Sequence, residues 1–256
     1  MSQEKIPLSN LLAIEWSSSI ASSAMVAPFI SIIDKAIFSN ASGREPLSKS
    51  IVSGLSTLVT KPIYFFRQPS FLFIWGVYSG TYVVANTIQG ICDRDEIPWQ
   101  IPKFIGSSTA NVTLSVLKDL YFTRAFGVGS IRPVPLISYQ LYMVRDCMTI
   151  GASFNLPDIV ASKIVESSSI SPFAAATAAQ LITPCAIQFL SSPLHLLGMD
   201  IYNRGSASWP ERRSFIAREY VKTSFARVGR IFPAFGIGGV ANKFLRKHGY
   251  TALKNE

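Results

Sequence analysis

The chain has 256 residues, a formal net charge of +9 and only 15% charged residues, against about 25% in ordinary soluble domains. Its mean hydropathy of +0.30 is high for a soluble chain and low for a membrane protein whose helices all face lipid. A basic balance suits nucleic acid, anionic lipid or small anions. No basic run is interleaved with aromatics, which sets nucleic acid aside. The odd cysteine count (Cys92, Cys147, Cys185) and two lone histidines, His195 and His248, fit neither a disulfide scaffold nor a metal cluster.

In chain order, the first fifteen residues hold Glu4, Glu15 and a single base, Lys5. That argues against a secretory signal and against a basic transit peptide. An uncharged run from Trp16 to Ile33, rich in serine, predicts a first membrane helix. Gln68–Cys92 is a second, with the aromatics Phe71, Phe73, Trp75, Tyr78 and Tyr82. Ser167–Met199, 33 residues without a formal charge, is the clearest, since about 20 apolar residues cross a bilayer core. Pro172, Pro184 and Pro193 within it predict kinks. Three weaker segments complete a set of six at about 8–38, 62–91, 103–126, 134–157, 171–204 and 228–247. Hydropathy alone does not make spans of the weaker three, and a buried or re-entrant helix is the alternative for each.

Three arginines stand just before a proline that opens an uncharged run: Arg67-Gln-Pro69, Arg132-Pro-Val-Pro135 and Arg230-Ile-Phe-Pro233. Proline is tolerated in the first helical turn, and an arginine outside it can stay in an aqueous or headgroup layer. Connections after odd segments hold thirteen basic residues, and those after even segments hold three. That bias is the one expected of alternating spans. The odd segments end in acid–base clusters: Asp34-Lys35, Lys118-Asp119 with Arg124, and Asp200 with Arg204.

Together these residues resemble the mitochondrial carrier family, whose three repeats of two helices end their odd helices in an acid and a base and open even helices with Arg-x-x-Pro. Arg230-Ile-Phe-Pro233 and Arg132-Pro-Val-Pro135 match that opening, and Arg67-Gln-Pro69 is one residue short. The odd-helix signature departs in every repeat: Pro28 lies six residues before Asp34, Pro193 seven before Asp200, and no proline precedes Asp119. The loop after Asp119 is short, which leaves little room for a surface helix. The resemblance implies an all-α, six-transmembrane-helix bundle in one membrane domain over 1–256. Its repeats fall at about 7–95, 98–165 and 168–250. It also implies a multi-pass protein of a mitochondrial membrane, inner rather than outer. Asp34, Lys35, Asp119, Arg124, Asp200 and Arg204 would form a gate of exchanging ion pairs on the basic side. The opposite gate retains an acid only at Arg145-Asp146.

Ionisable residues inside a span usually face a cavity or a partner. Arg145 and Asp146 are therefore candidates to bind substrate, Arg145 by a bidentate grip on an anion, or else a structural pair. His195 can titrate during transport or simply pack. Asn86, Gln188 and Asn242 can line a cavity or link helices. Gly236, Gly238 and Gly239 read as close helix packing, since no strand precedes them. Arg212, Arg213, Arg218 and Lys222 suit anionic headgroups such as cardiolipin, or form a solvated face. No catalytic constellation, cofactor motif or metal spacing is present, so the reading is not an enzyme. It is membrane transport of a small, anionic metabolite through the lipid bilayer, or alternatively a non-transporting adaptor or assembly protein.

Overall fold

The computed structural model describes residues 6–128, 133–167 and 170–254, and among them it is helical without a strand. The helices are α1 Leu8–Ala41, α2 Leu47–Thr60, α3 Pro62–Phe66, α4 Pro69–Arg94, α5 Gln100–Phe126, α6 Leu136–Ser167, α7 Pro172–Asn203, α8 Trp209–Gly229 and α9 Val240–Lys254. A π-helical stretch, Pro233–Gly239, leads into α9. All six predicted segments fall on helices. The connections after α1 and α7 carry helices of their own, α2 and α8.

Among the described residues, only α1, α4 and α7 are long and apolar enough to cross a membrane. The six crossing helices expected of a carrier bundle are thus reduced to three by length and composition. The reason lies in the sequence. Lys103, Lys118, Asp119 and Arg124 punctuate α5, Arg145, Asp146, Asp158 and Lys163 punctuate α6, and Lys243, Arg246 and Lys247 crowd α9.

Proline stands in the first turn of α3, α4, α7 and α8, and the prolines of two Arg-to-Pro pairs are among those at helix starts. Pro69 occupies the first turn of α4 behind Gln68. Pro135 immediately precedes α6, its carbonyl accepting the Ser138 N–H at 2.9 Å. The arginines before these prolines fare differently. Arg67 is exposed, Arg132 lies outside the described residues, and Arg230 pairs with Asp34 at 2.6 Å.

The chain divides into two compact units. The first holds Met1–Ser31, Ser56–Lys118 and Phe232–Glu256, and so most of α4, α5 and α9 with the first part of α1. The second holds Ile32–Leu55 and Asp119–Ile231, where α7 packs on both α6 and α8.

In each unit the apolar helix is patterned inside out. On α1 in the first unit, Glu15, Ser18, Ser19, Ser22 and Ser23 are buried while Trp16, Ile20, Met25 and Phe29 are exposed. The serines are satisfied locally: Ser19 donates to the Glu15 carbonyl at 2.6 Å and Ser22 to the Ser18 carbonyl at 2.7 Å. On α7 in the second unit, the buried face repeats every four residues through Ala175, Ala179, Thr183, Ile187, Ser191, His195 and Met199. Phe173, Leu181, Ile182 and Leu190 point outward. Large apolar groups on the outward face, with serines and charged or small groups sharing the interior with Leu11, Val26, Ile30, Leu196 and Met199, is an arrangement a lipid environment rewards and water penalises.

Several glycines in the first unit permit close approach, Gly238 and Gly90 among them. A Cβ on Gly238 would lie 2.6 Å from the Tyr82 hydroxyl and 2.8 Å from Val26, so the close packing expected of the Gly-rich run holds at Gly238 and not at Gly236 or Gly239, where a Cβ would meet nothing within 4 Å. A Cβ on Gly90 would lie 2.9 Å from the Glu15 carboxylate, so α4 must be bare there.

Candidate functional site

In the second unit, Arg145 is 1% exposed and Asp119 is wholly buried. Burial of these charges is tolerable only with opposite charge and full hydrogen bonding. α6 supplies Arg145 and Asp146, α5 supplies Asp119 and α7 supplies His195. Arg145 Nη2 donates to Asp119 Oδ2 at 2.5 Å and to Asp146 Oδ1 at 2.6 Å, and Nε donates to Asp146 Oδ1 at 3.0 Å. Its Nη1 reaches His195 Nδ1 at 2.7 Å. A guanidinium has no acceptor, so Nδ1 must accept and the imidazole is neutral, with its proton on Nε2. Phe38 and Tyr142 flank the ring at centroid distances of 5.1 and 5.7 Å. Two carboxylates thus face the one guanidinium of Arg145, and the Arg227 guanidinium also acts on both through space. Each nitrogen of Arg145 already has a partner, which makes this arginine the cluster's internal cation rather than a free grip for a solute anion.

Gln188 lies elsewhere on α7 and has a different partner. Its Oε1 accepts from Arg227 Nε at 3.1 Å and from Nη2 at 2.7 Å, and Ser191 Oγ accepts from Nη2 at 3.1 Å. Arg227, on α8, is 2% exposed. Its hydrogen-bond partners are neutral, and Nη1 has none among the described residues. Burial, and after it the nearby Arg145 guanidinium, press the Arg227 guanidinium well below its ordinary value.

The acids expected to form a gate each find an arginine within this unit. Asp34 binds Arg230, Asp119 binds Arg145, and Asp200 binds Arg204 and, at 2.6 Å, Arg212. Lys35, half-buried, and Arg124, exposed, stand outside these pairs. Arg44 donates to the Ala125 and Gly127 carbonyls at 2.9 and 2.5 Å, closing the C-terminal end of α5.

In the first unit, Asn86 and Asn242 bind each other reciprocally at 2.9 and 3.1 Å, and Asn86 also donates to Ser19. Glu15 is wholly buried and held by Arg246, whose Nε and Nη2 reach its two oxygens at 2.5 and 2.7 Å. The Tyr250 hydroxyl adds a bond at 2.5 Å. Gln89 Oε1 accepts from Arg246 at 3.2 Å and from Lys103 at 2.7 Å. Glu15, Arg246 and Arg227 had no place among the site candidates drawn from sequence. The available signal for Arg227 was the spacing Thr223-Ser224-x-x-Arg227 opposite Gln188-x-x-Ser191. Among the described residues no group of His, Cys, Asp and Glu is arranged to hold a metal ion.

Helices with apolar exteriors around buried ion pairs define the chain as a membrane protein of the multi-pass class. A family model described as "Probable citrulline exporter" matches residues 18–249, and the chain belongs to that family. No curated protein matches it. The family found is not the mitochondrial carrier family, which overturns that resemblance. The assignment to a mitochondrial membrane and the reading as carrier repeats rested on it and lose their support. The Arg-to-Pro openings that suggested it are general helix-start chemistry at a membrane surface, and so too weak to separate one helical transporter family from another.

Proposed function

We propose that the chain is a membrane exporter of a small zwitterionic amino acid, citrulline or a near relative, and carries out no covalent chemistry. The observation that carries this reading is the buried Asp119–Arg145–Asp146–His195 cluster inside helices whose outer faces are apolar, in a chain of the exporter family. Intramembrane charges of this kind generally mark a solute path. Citrulline has an α-ammonium, an α-carboxylate and a neutral ureido group. The two buried carboxylates, Asp119 and Asp146, suit the ammonium, which replaces the anionic metabolite expected from Arg145 alone. Exposed Ile101, Ile105 and Leu117 on α5, with Leu136, Met143 and Val144 on α6, support lipid contact beyond the three most apolar helices.

The test is citrulline exchange by purified protein in liposomes. Saturable exchange, reduced at least tenfold by Asp146→Asn, is the expected result. Absence of exchange across a panel of neutral amino acids would sink the reading and favour a non-transporting adaptor.

A further inference from the structure

The second unit contains a row of buried hydrogen-bond donors with no partner among the described residues. On α8, Thr223 is 1% exposed, Ser224 is wholly buried and Arg227 is 2% exposed. Thr223 Oγ1, Ser224 Oγ and Arg227 Nη1 all lack a hydrogen-bond partner among the described residues. The spacing i, i+1, i+4 places both hydroxyls one turn from the guanidinium on the same side of the helix. A serine or threonine in a helix commonly bonds the carbonyl one turn back, as Ser19, Ser22, Ser192 and Thr183 do elsewhere in this chain. These two do not.

The fork of Arg227 is held on one side by Gln188 Oε1 and Ser191 Oγ, which fixes its plane and leaves Nη1 unused. Asp119 and Asp146 act on it through space, but its hydrogen bonds go to neutral groups. Three donors and one under-compensated cation in a buried row are the requirements of an oxyanion site, and a guanidinium is the group best matched to a carboxylate.

We propose that Arg227 Nη1, Thr223 Oγ1 and Ser224 Oγ bind the α-carboxylate of the exported amino acid, with Gln188 and Ser191 as positioning residues. The assignment rests on the export reading for the identity of the solute, and on the unpartnered donors alone for its chemistry. An amino acid would then present its carboxylate to Arg227 while its ammonium answers the acidic cluster around Arg145.

The experiment uses the full chain in neutral detergent, and the same protein in liposomes, with citrulline and its carboxamide as probes. Citrulline is expected to raise the apparent melting temperature of the wild type, while the carboxamide, lacking the anion, leaves it unchanged. Arg227→Gln removes the citrulline effect, and Arg227→Lys retains part of it. Thr223→Val with Ser224→Ala raises the KM for exchange at least fivefold with little change in maximal rate. Arg227→Gln melts no lower than the wild type without ligand, since it removes a buried charge whose hydrogen-bond partners are all neutral; a large drop would make Arg227 a structural strut and overturn the site. Equal response to the carboxamide, or exchange with unchanged KM in Arg227→Gln, overturns the site while leaving the export reading intact. Arg227-dependent stabilisation by citrulline without exchange keeps the site and removes export. Stabilisation by phosphatidylglycerol but not citrulline, lost in Arg227→Gln, assigns the donors to a lipid phosphate and overturns the proposal.

Discussion

Two buried arginines in the same unit, Arg145 and Arg227, solve the problem of an interior cation in opposite ways. Arg145 is clamped by Asp119 and Asp146 and capped by His195. Arg227 leans on an amide oxygen and a hydroxyl and keeps Nη1 unmet. The first arrangement is finished, so its carboxylates hold it rigid and a solute must compete to loosen it. The second is short of one negative charge, and an incoming anion would complete it at no cost in broken ion pairs. Burial alone therefore says little about whether an arginine is structural or available; the chemistry of its acceptors decides.

The contrast can be broken most forcefully at Arg145. Asp119→Asn removes one carboxylate from a fully buried pair and should cost about 3–5 kcal/mol, read as a large fall in the apparent melting temperature in detergent. It can be sharpened by making Arg227 resemble Arg145. Gln188→Glu supplies the missing charge and should stabilise the ligand-free protein by about 1.5–3 kcal/mol, as a charge-assisted hydrogen bond does. The same variant should lose its thermal response to citrulline. A Gln188→Glu protein that melts lower would remove the contrast altogether.

A smaller effect is expected at the neutral cap. His195→Ala deletes one acceptor of Arg145 and should cost about 1–2 kcal/mol, with His195→Gln recovering part because its amide oxygen can accept the same bond. The smallest concerns α8 itself. Burial opposes ionisation of Glu219, but donors from Asn40 and Arg218 outweigh it and hold its carboxyl below the ordinary value. A depressed value means stability that is present above the unfolded pKa and lost as pH falls through the folded one. Melting followed from pH 5 down to pH 3 should show a small acid-side loss, about 0.5 kcal/mol, that Glu219→Gln abolishes.

Much of the helical layout was legible in the sequence. The uncharged runs Trp16–Ile33, Gln68–Cys92 and Ser167–Met199 lie on or across α1, α4 and α7, because length and hydropathy are local properties. Pro69 and Pro135 marked helix starts for the same reason. Ion-pair partners were not legible, because they are set by packing between distant segments. Asp34 was grouped with its neighbour Lys35, yet adjacent helical residues point about 100° apart, and its partner Arg230 is 196 positions away. Glu15 weighed only against a targeting peptide, although it is the buried anchor for Arg246 and Tyr250, more than 230 positions on. Of the six substrate candidates, Arg145, Asp146 and His195 do meet, Gln188 meets Arg227, and Asn86 meets Asn242. Arg227 itself was hidden among seven basic residues of one connection, where composition offers no way to tell an interior cation from a surface one.

The π-helical stretch Pro233–Gly239 bears on how the first unit can move. A π turn holds more residues than an α turn, so it sets the rotational phase of everything that follows. Were it to tighten into α-helix at constant length, α9 would turn on its axis by about 100°, the angle of one residue. Arg246 and Tyr250 would sweep off the carboxylate of Glu15 together, with no change in the covalent reach of the chain. Seven residues, three of them glycine, therefore fix the rotational phase at which α9 presents Arg246 and Tyr250 to Glu15.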